Sequence, residues 1–378
     1  MKSRLLDTII CTIILLFFSG GLILHGQEKI IDISNHWEDT GNYPLSRIGE
    51  SIEYIPLETT PSCLIGPAHN YRYKIVRDTI YLTRSGHPVY VFDLNGKFVR
   101  RIGQVGKGPQ EFVDVTSFAI DKNENRIWIS DRKVGKILIY STDGSFVSQF
   151  KRTKGSYKLF SNLNGGVSRL YRGFELELKQ NEIQDFDKDS TIINRIPLYE
   201  VDDYKEHRRS VALSTVSILD GQMRIMERPS SQEYLWSDGS WEKTWKIIAS
   251  NGTIIKIRGT NKHFFIQSAN PMVHQYIAEK ATGRVFVCSF GVDAIGPDAV
   301  GAYNDLDGGL SFWPKDITEN GDMVCMYEAY DIISYANGQS STWGGKPPKM
   351  TAEFKEFADQ LSIDDNPVIV IVRHHQNN

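Results

Sequence analysis

Cysteine is scarce in this chain, and the little present falls in no pattern that binds metal or builds a disulfide framework. Four cysteines occur in 378 residues, no two are spaced C-x2-C, and Cys11 lies in an N-terminal segment with the features of a leader. Without that leader Cys63, Cys288 and Cys325 remain, an odd number that permits one disulfide at most. Cys288 in RVFVCSF and Cys325 in DMVCMY occupy strand-like runs, where a buried free thiol is the expected state. An excess of charge is also lacking, with 43 basic against 46 acidic residues and a net charge of -3. Basic residues gather no further than pairs such as Arg100-Arg101 and Arg208-Arg209, which excludes nucleic acid as a partner, because phosphate binding needs a basic face. No G-x-S-x-G and no H-E-x-x-H occurs; the histidines are scattered, and His374-His375 falls beyond the last strand, where solvent is the expected surrounding. On these grounds no cofactor and no metal are expected.

Nor does the chain hold an apolar run of membrane-spanning length. Lys2 and Arg4 precede an apolar stretch from Thr8 to Phe18, then Ser19-Gly20-Gly21 and a short patch from Leu22 to Leu24. That order is the order of an export signal, and the stretch falls short of the roughly 20 residues a spanning helix needs. Cleavage after Gly21 satisfies the small-residue rule; cleavage after Gly26 exposes Gln27. Lipoprotein processing at Cys11 is disfavoured, since Thr8, Ile9 and Ile10 precede it without a small residue next to the cysteine. The expectation is a signal peptide over residues 1–26 and an extracytoplasmic domain over 27–378, in the periplasm or at the cell surface. Contact with the membrane would come only through an uncleaved leader.

What the chain does have is a repeat. VYVFDLNGKFVRRIG (Val89 to Gly103) returns as KILIYSTDGSFVSQF (Lys136 to Phe150), with Gly96 and Gly144 marking the turns. Each copy reads as strand, turn and strand, and Asn95-Gly96 and Asp143-Gly144 are dipeptides suited to two-residue type I′ hairpins. Self-similarity at a spacing of about 40 to 50 residues marks a propeller blade. Strand-type runs recur at Ser51–Leu57, Thr79–Thr83, Arg126–Ser130, Trp245–Ile248, Thr253–Ile257, Val285–Phe290, Met323–Tyr327 and Val368–Val372. One segment reads as a helix: Met350, Phe354, Phe357, Ala358 and Leu361 share a face after Pro347-Pro348, with Thr351 placed to cap. The expected fold is an all-β, six-bladed β-propeller, seven blades being the alternative, with that one short helix inserted near the C-terminus. Glu175–Arg195, Gly291–Pro314 and the helix would be insertions. Because an open sheet edge invites aggregation, a strand near Ile52–Leu57 or Ile30–Ile33 should pair within the blade of Val368–Val372.

The segment IGQVGKGPQEFVDVTSFAIDKNENRIWISDR (Ile102 to Arg132) resembles the NHL-type repeat, in which a Gly-rich crossover leads into an A-I-D strand. More broadly, the chain is similar to a six-bladed propeller family of exported proteins from Bacteroidetes. YIPLETTPSCLIG (Tyr54 to Gly66), the Gly-rich crossover, NDLDGGLSFWPKDI (Asn304 to Ile317) and DNPVIVIVR (Asp365 to Arg373) carry the similarity in order. The region Ser156–Ile257 departs from it with degenerate repeats. The resemblance implies an extracytoplasmic propeller and brings no catalytic residues to transfer.

Several constellations invite chemistry. GQVGKGPQEF (Gly103 to Phe112) is not a phosphate loop, since Pro109 follows Gly108 where Lys and Ser/Thr are needed; it reads as a crossover between blades. DFDKDS (Asp185 to Ser190) and DKNENR (Asp121 to Arg126) lack the glycine at position 6 of a calcium loop and read as solvated turns. The most loaded segment is Gly291–Asp316, with Asp293, Asp298, Asp305, Asp307, Asp316, Tyr303, Phe312 and Trp313. Carboxylates beside aromatic faces suit sugar recognition, and long loops are where propellers place function. Asp293, Asp298, Tyr303, Asp305, Asp307 and Trp313 are the ligand-binding candidates, set against a purely structural turn and packing anchor. The favoured reading is a binding or interaction module for a carbohydrate or peptide. Its rivals are a propeller lyase or glycoside hydrolase using channel-lining carboxylates and histidines, and a structural subunit docked to an envelope protein.

Overall fold

Short β-branched runs punctuated by Gly, Asn and Asp cannot bury both faces alone, and here they pair into small antiparallel sheets that stack around an axis. The computed structural model describes residues 28–34, 43–66, 71–152, 156–172, 181–198, 214–227, 230–249, 253–269, 273–289, 301–339 and 349–375. The expected leader and both cleavage positions lie outside the described residues. Blade 1 comprises Arg72–Val76, Thr79–Thr83, Val89–Asp93 and Phe98–Ile102; blade 2 comprises Val115–Asp121, Arg126–Asp131, Lys136–Ser141 and Phe146–Lys151. Blade 3 runs Ser156–Ser161, Val167–Arg172, Asn181–Phe186 and Ile192–Pro197; blade 4 runs Thr215–Leu219, Gln222–Glu227, Gln232–Ser237 and Ser240–Ile248. Blade 5 contains Thr253–Gly259, His263–Ala269, Val273–Glu279 and Val285–Ser289. Blade 6 joins the two ends of the chain: Asp316–Ile317, Met323–Tyr327, Val368–His374 and, outermost, Gly49–Pro56. The molecule is thus a six-bladed β-propeller.

The apolar alternation within central strands explains why six such sheets hold together. In Val368–His374, Ile369 and Ile371 pack with Ile80, Leu82 and Phe92 of blade 1, whereas Val368, Val370 and Val372 pack with Phe265, Ile277 and Phe286 of blade 5. Ile127 and Ile129 likewise face blade 1 while Trp128 faces blade 3. A strand buried on both faces reads as a continuous apolar run, and the period of 2 deals its side chains to two neighbours. Among the described residues the buried apolar side chains form six clusters, one at each blade interface.

Of the two strands expected to close the ring, the second candidate goes elsewhere. Gly49–Pro56 pairs antiparallel with Val368–His374, Ile52 opposite Val372 and Ile55 opposite Ile369. Lys29–Asp32 instead adds a parallel fifth strand to the outer edge of blade 4, Ile31 opposite Ile247. Three other expectations need correction. Part of the charged stretch taken as an insertion is blade 3 itself: Ile183, Phe186, Ile192 and Ile196 turn inward, while Glu182 and Arg195 pair on the outside. The AYDIISYA segment is a second helix, α1 (Ala329–Ala336), ahead of the expected one, α2 (Ala352–Asp359). Its β-branched and aromatic residues mimic a strand, yet Ala329, Ile332 and Tyr335 recur at three-residue spacing on one buried face. His374 belongs to the closing strand, with Nδ1 3.2 Å from Asp322 Oδ1, and His375 Nε2 lies 2.9 Å from Ser46 O, so neither is free in solvent.

The duplicated hairpins also turn differently from the two-residue expectation. Gly96 N donates to Asp93 O and Asp93 N to Lys97 O, both at 3.0 Å, which makes a three-residue loop with Gly96 in the left-handed region. The turns at Gly144, Gly165, Ser190 and Gly321 repeat this bonding. Asp187 accepts from Asp189 N at 2.9 Å and Thr191 N at 2.8 Å, so DFDKDS is a turn held by its own carboxylate. Cys63, Cys288 and Cys325 are free and buried.

The Gly96 turn also seats blade 1 against the closing strand. Its φ is 77° and a Cβ there would stand 2.0 Å from Pro56 O, whereas Gly86, at φ 75°, has open space around it. Gly96→Ala is therefore expected to cost about 3 kcal/mol or more, combining left-handed strain with a backbone clash, against about 1 kcal/mol for Gly86→Ala. Melting temperatures of the two variants check this, and equal shifts would contradict the packing described.

Candidate functional site

Asp293 and Asp298 fall in residues 290–300, outside the described residues. The rest of the acidic loop is spent on bonds within the fold. Tyr303 O accepts from Leu45 N at 2.7 Å and Tyr303 N donates to Tyr43 O at 2.8 Å. Asp305 accepts from Ser46 N at 2.9 Å and Ser46 Oγ at 2.6 Å. Asp307 accepts from Asn304 Nδ2 at 2.7 Å and Gly309 N at 2.8 Å, and burial pushes its carboxyl above the usual range despite these bonds. The main chain of Asp307 accepts from Thr351 N at 2.9 Å, and Thr351 Oγ1 in turn caps α2 through Phe354 N at 3.2 Å. Trp313 is buried edge-on to Phe265, 5.6 Å between ring centroids, and its Nε1 has no partner among the described residues. These residues tie the N-terminal segment and α2 to blade 6. They do not converge on one mouth, and of them only Trp313 reaches the central channel.

That channel is the concave feature built by all six blades. The first strand of each blade runs along it, enclosing about 1340 Å³. At the face where the first strands end, the turn of blade 6 crosses toward its neighbours: Asp220 N of blade 4 donates to Glu319 O at 2.9 Å, and Lys122 of blade 2 pairs with the Glu319 carboxylate. Turns from alternate blades thus bridge this end of the lumen.

Seven basic and five acidic residues line the wall, a small excess of positive charge. Lys74 of blade 1, Lys158 of blade 3, Lys256 and Arg258 of blade 5 and Lys315 at the entry to blade 6 all line the channel. Lys74 pairs with Asp316 at 3.1 Å, Lys158 donates to Ser214 O at 2.7 Å, and the buried Arg258 donates through Nε to Lys315 O at 2.9 Å. The side chain of Lys256 makes no hydrogen bond or ion pair among the described residues. Its side chain is open to the lumen, yet wall atoms surround it on the other sides, and a confined lumen solvates charge less well than bulk water. That desolvation, reinforced by Arg258, Lys315 and Lys158 and opposed by Asp316, brings its pKa down to about 7. Lys315 is lowered for the same reason, burial first and then Arg258.

None of these cations was singled out from sequence. A signal existed, since RYKIV, IKIRG and WPKDI each place a basic residue in or beside the first strand of its blade. Using it required the blade boundaries that the degenerate region hides. No histidine is among the described residues lining the channel, and His263 is buried against Tyr43 OH at 3.0 Å, its pKa lowered to about 4 by burial.

A lysine with a lowered folded pKa binds its proton more weakly in the folded than in the unfolded chain. Stability should therefore rise with pH from about 7 toward the unfolded lysine value of about 10.4. Lys280, held to about 8 mainly by burial, contributes with the same sign and persists in any Lys256 variant. Lys256→Met is expected to melt above the wild-type protein at pH 6.5, with the difference shrinking by pH 9.5. A variant that melts lower at pH 6.5 would refute the assignment.

Comparison with known proteins places this geometry. The model of a family described as a domain of unknown function (DUF4934) matches residues 28–249. Among solved structures, a candidate exported protein of Bacteroides fragilis aligns over 92% of this chain and 100% of its own, with TM-score 0.65 and 16% identity. A Bacteroides caccae protein of unknown function covers 61% of this chain and 81% of its own at TM-score 0.37 and 12% identity. The inactive virginiamycin B lyase of Staphylococcus aureus, solved with quinupristin, covers 65% and 76% at TM-score 0.41 and 13% identity. The first similarity shows the shared fold; the other two are too distant to bear on function. Among curated proteins none matches. Since the family match takes in the Lys29–Asp32 strand and blades 1 to 4, more than half of the 378 residues, the chain belongs to the DUF4934 family.

Proposed function

We propose that this protein is an extracytoplasmic binding module that holds a carbohydrate or peptide ligand in its central channel. The observation that carries the reading is the channel itself: about 1340 Å³ of lumen lined by the first strands of all six blades and bridged at one end. Clefts that bury ligands combine apolar walls with a few placed polar groups, and this one sets Phe118, Phe160 and Trp313 beside lysines and an arginine. Export is supported by the leader pattern of the first 26 residues and by the similarity to the Bacteroides fragilis protein. Three of the five carboxylates on the wall are tied to cations or a hydroxyl, which favours binding over acid–base catalysis. Asp316 is paired with Lys74 and Glu319 with Lys122, while Glu233 accepts from Thr244 Oγ1 at 2.8 Å. A glycosidase pair needs one carboxyl poised to give a proton and another free to attack or to activate water.

The test is glycan- and peptide-array binding by the purified protein, compared with two variants. Ser217→Trp fills the lumen from blade 4 and is expected to weaken any bound hit at least tenfold. Asp305→Ala, which among the described residues breaks only the bonds to Ser46, should leave the hit unchanged. Loss in the Asp305 variant with retention in the Ser217 variant would move the binding seat to the loop.

A further inference from the structure

We infer that the channel is a seat for oxyanion groups, carboxylate, sulfate or phosphate, carried by its ligand, with Lys256 and Arg258 of blade 5 at its centre. The inference rests on the channel being the binding seat and adds the chemistry of what enters it. Seven cations and five carboxylates line it; five of the cations, Lys74, Lys158, Lys256, Arg258 and Lys315, come from four structural units, and the carboxylate that acts on Lys256, Asp316, is already engaged by Lys74. The protein as a whole is slightly acidic, at net charge -3, so this concentration does not follow from composition. Like charges on a confined wall repel, and that repulsion is relieved when an anion enters.

The donors are also arranged to be used. Arg258 is buried and spends Nε on Lys315 O at 2.9 Å, which leaves the two terminal nitrogens of a planar guanidinium for a bidentate partner. The Lys256 ammonium has three donors and no bonded partner among the described residues, and Lys158, bonded to Ser214 O at 2.7 Å, adds its positive charge to the lumen. The groups that act on Lys256 are Arg258, Lys315, Lys158 and Asp316, with Asp316 alone opposing the three cations. An arriving anion reverses that balance and favours the charged form of Lys256. Binding should accordingly take up protons and weaken as pH rises through 7.

Calorimetry on the protein at low ionic strength tests this with sulfate, citrate, a galacturonate tetramer and the neutral galactose tetramer as probes. At least one of the three anions is expected to bind, with affinity falling at least tenfold in Lys256→Met and falling with added salt. Lys188→Met removes one positive charge from an exposed turn and should change nothing. Between pH 6 and pH 8.5 the wild-type affinity should fall, and Lys256→Arg, charged throughout, should flatten that slope. Sulfate or citrate binding without the galacturonate points to a free small oxyanion, and the converse to an acidic glycan; both support the inference. Failure of all three anions to bind, or equal losses in Lys256→Met and Lys188→Met, overturns it. If the neutral and acidic tetramers bind equally and Ser217→Trp abolishes both, the channel remains the binding seat and the anionic chemistry is refuted.

Discussion

Everything in this molecule depends on one pairing, that of Gly49–Pro56 with Val368–His374, because it converts a row of sheets into a ring. Each blade is too small to bury its own apolar surface, so each interface exists only where a neighbour stands on the other side. Without closure, blades 1 and 6 would each expose one face. Closure buries Ile369 and Ile371 against Ile80 and Phe92, and it fixes the radius at which six first strands surround a lumen. The N-terminal segment adds a second tie. Lys29–Asp32 pairs with the outer strand of blade 4, and Tyr43 reaches the interface of blades 5 and 6, where its hydroxyl donates to Glu279 Oε1 at 2.9 Å.

The scaffold was legible where local chemistry and global packing agree. The Val89–Phe150 duplication, the apolar run at Val368–Val372 and the Thr351 cap each state their structure in a few residues. Blades 3 and 4 were not legible, and the reason is physical: among the described residues their shared cluster has the fewest buried members, Leu170, Ile183, Leu198, Met223 and Ile225. Fewer buried positions leave a weaker period in the sequence. Ser190 shows the same drift, standing in the left-handed position that glycine takes in the sister turns at Gly96, Gly144, Gly165 and Gly321. The helix α1 was hidden for a different reason, since tyrosine and isoleucine favour strands in isolation and only tertiary packing overrides them.

The site was less legible than the fold because it belongs to no single segment. A loop rich in aspartate draws the eye, yet Asp305 and Asp307 satisfy Ser46, Asn304 and Gly309. The channel cations are separated by long stretches of chain, and only the ring brings Lys74, Lys158, Lys256 and Lys315 to one lumen. Their strands look ordinary one at a time. The electrostatics emerges at the level of the closed propeller: a near-neutral chain sorts its charges so that Asp316 and Glu319 on the wall find partners while Lys256 and the ends of Arg258 face the lumen.

The most direct measurement of that account is anomalous diffraction from crystals grown without sulfate or phosphate and soaked in selenate. A selenium peak in the lumen within about 4 Å of Lys256 Nζ and the Arg258 guanidinium, the separation of a charge-assisted hydrogen bond plus the Se–O bond, is the predicted result. Peaks confined to exposed lysines outside the ring, with the lumen empty of selenium, would contradict it.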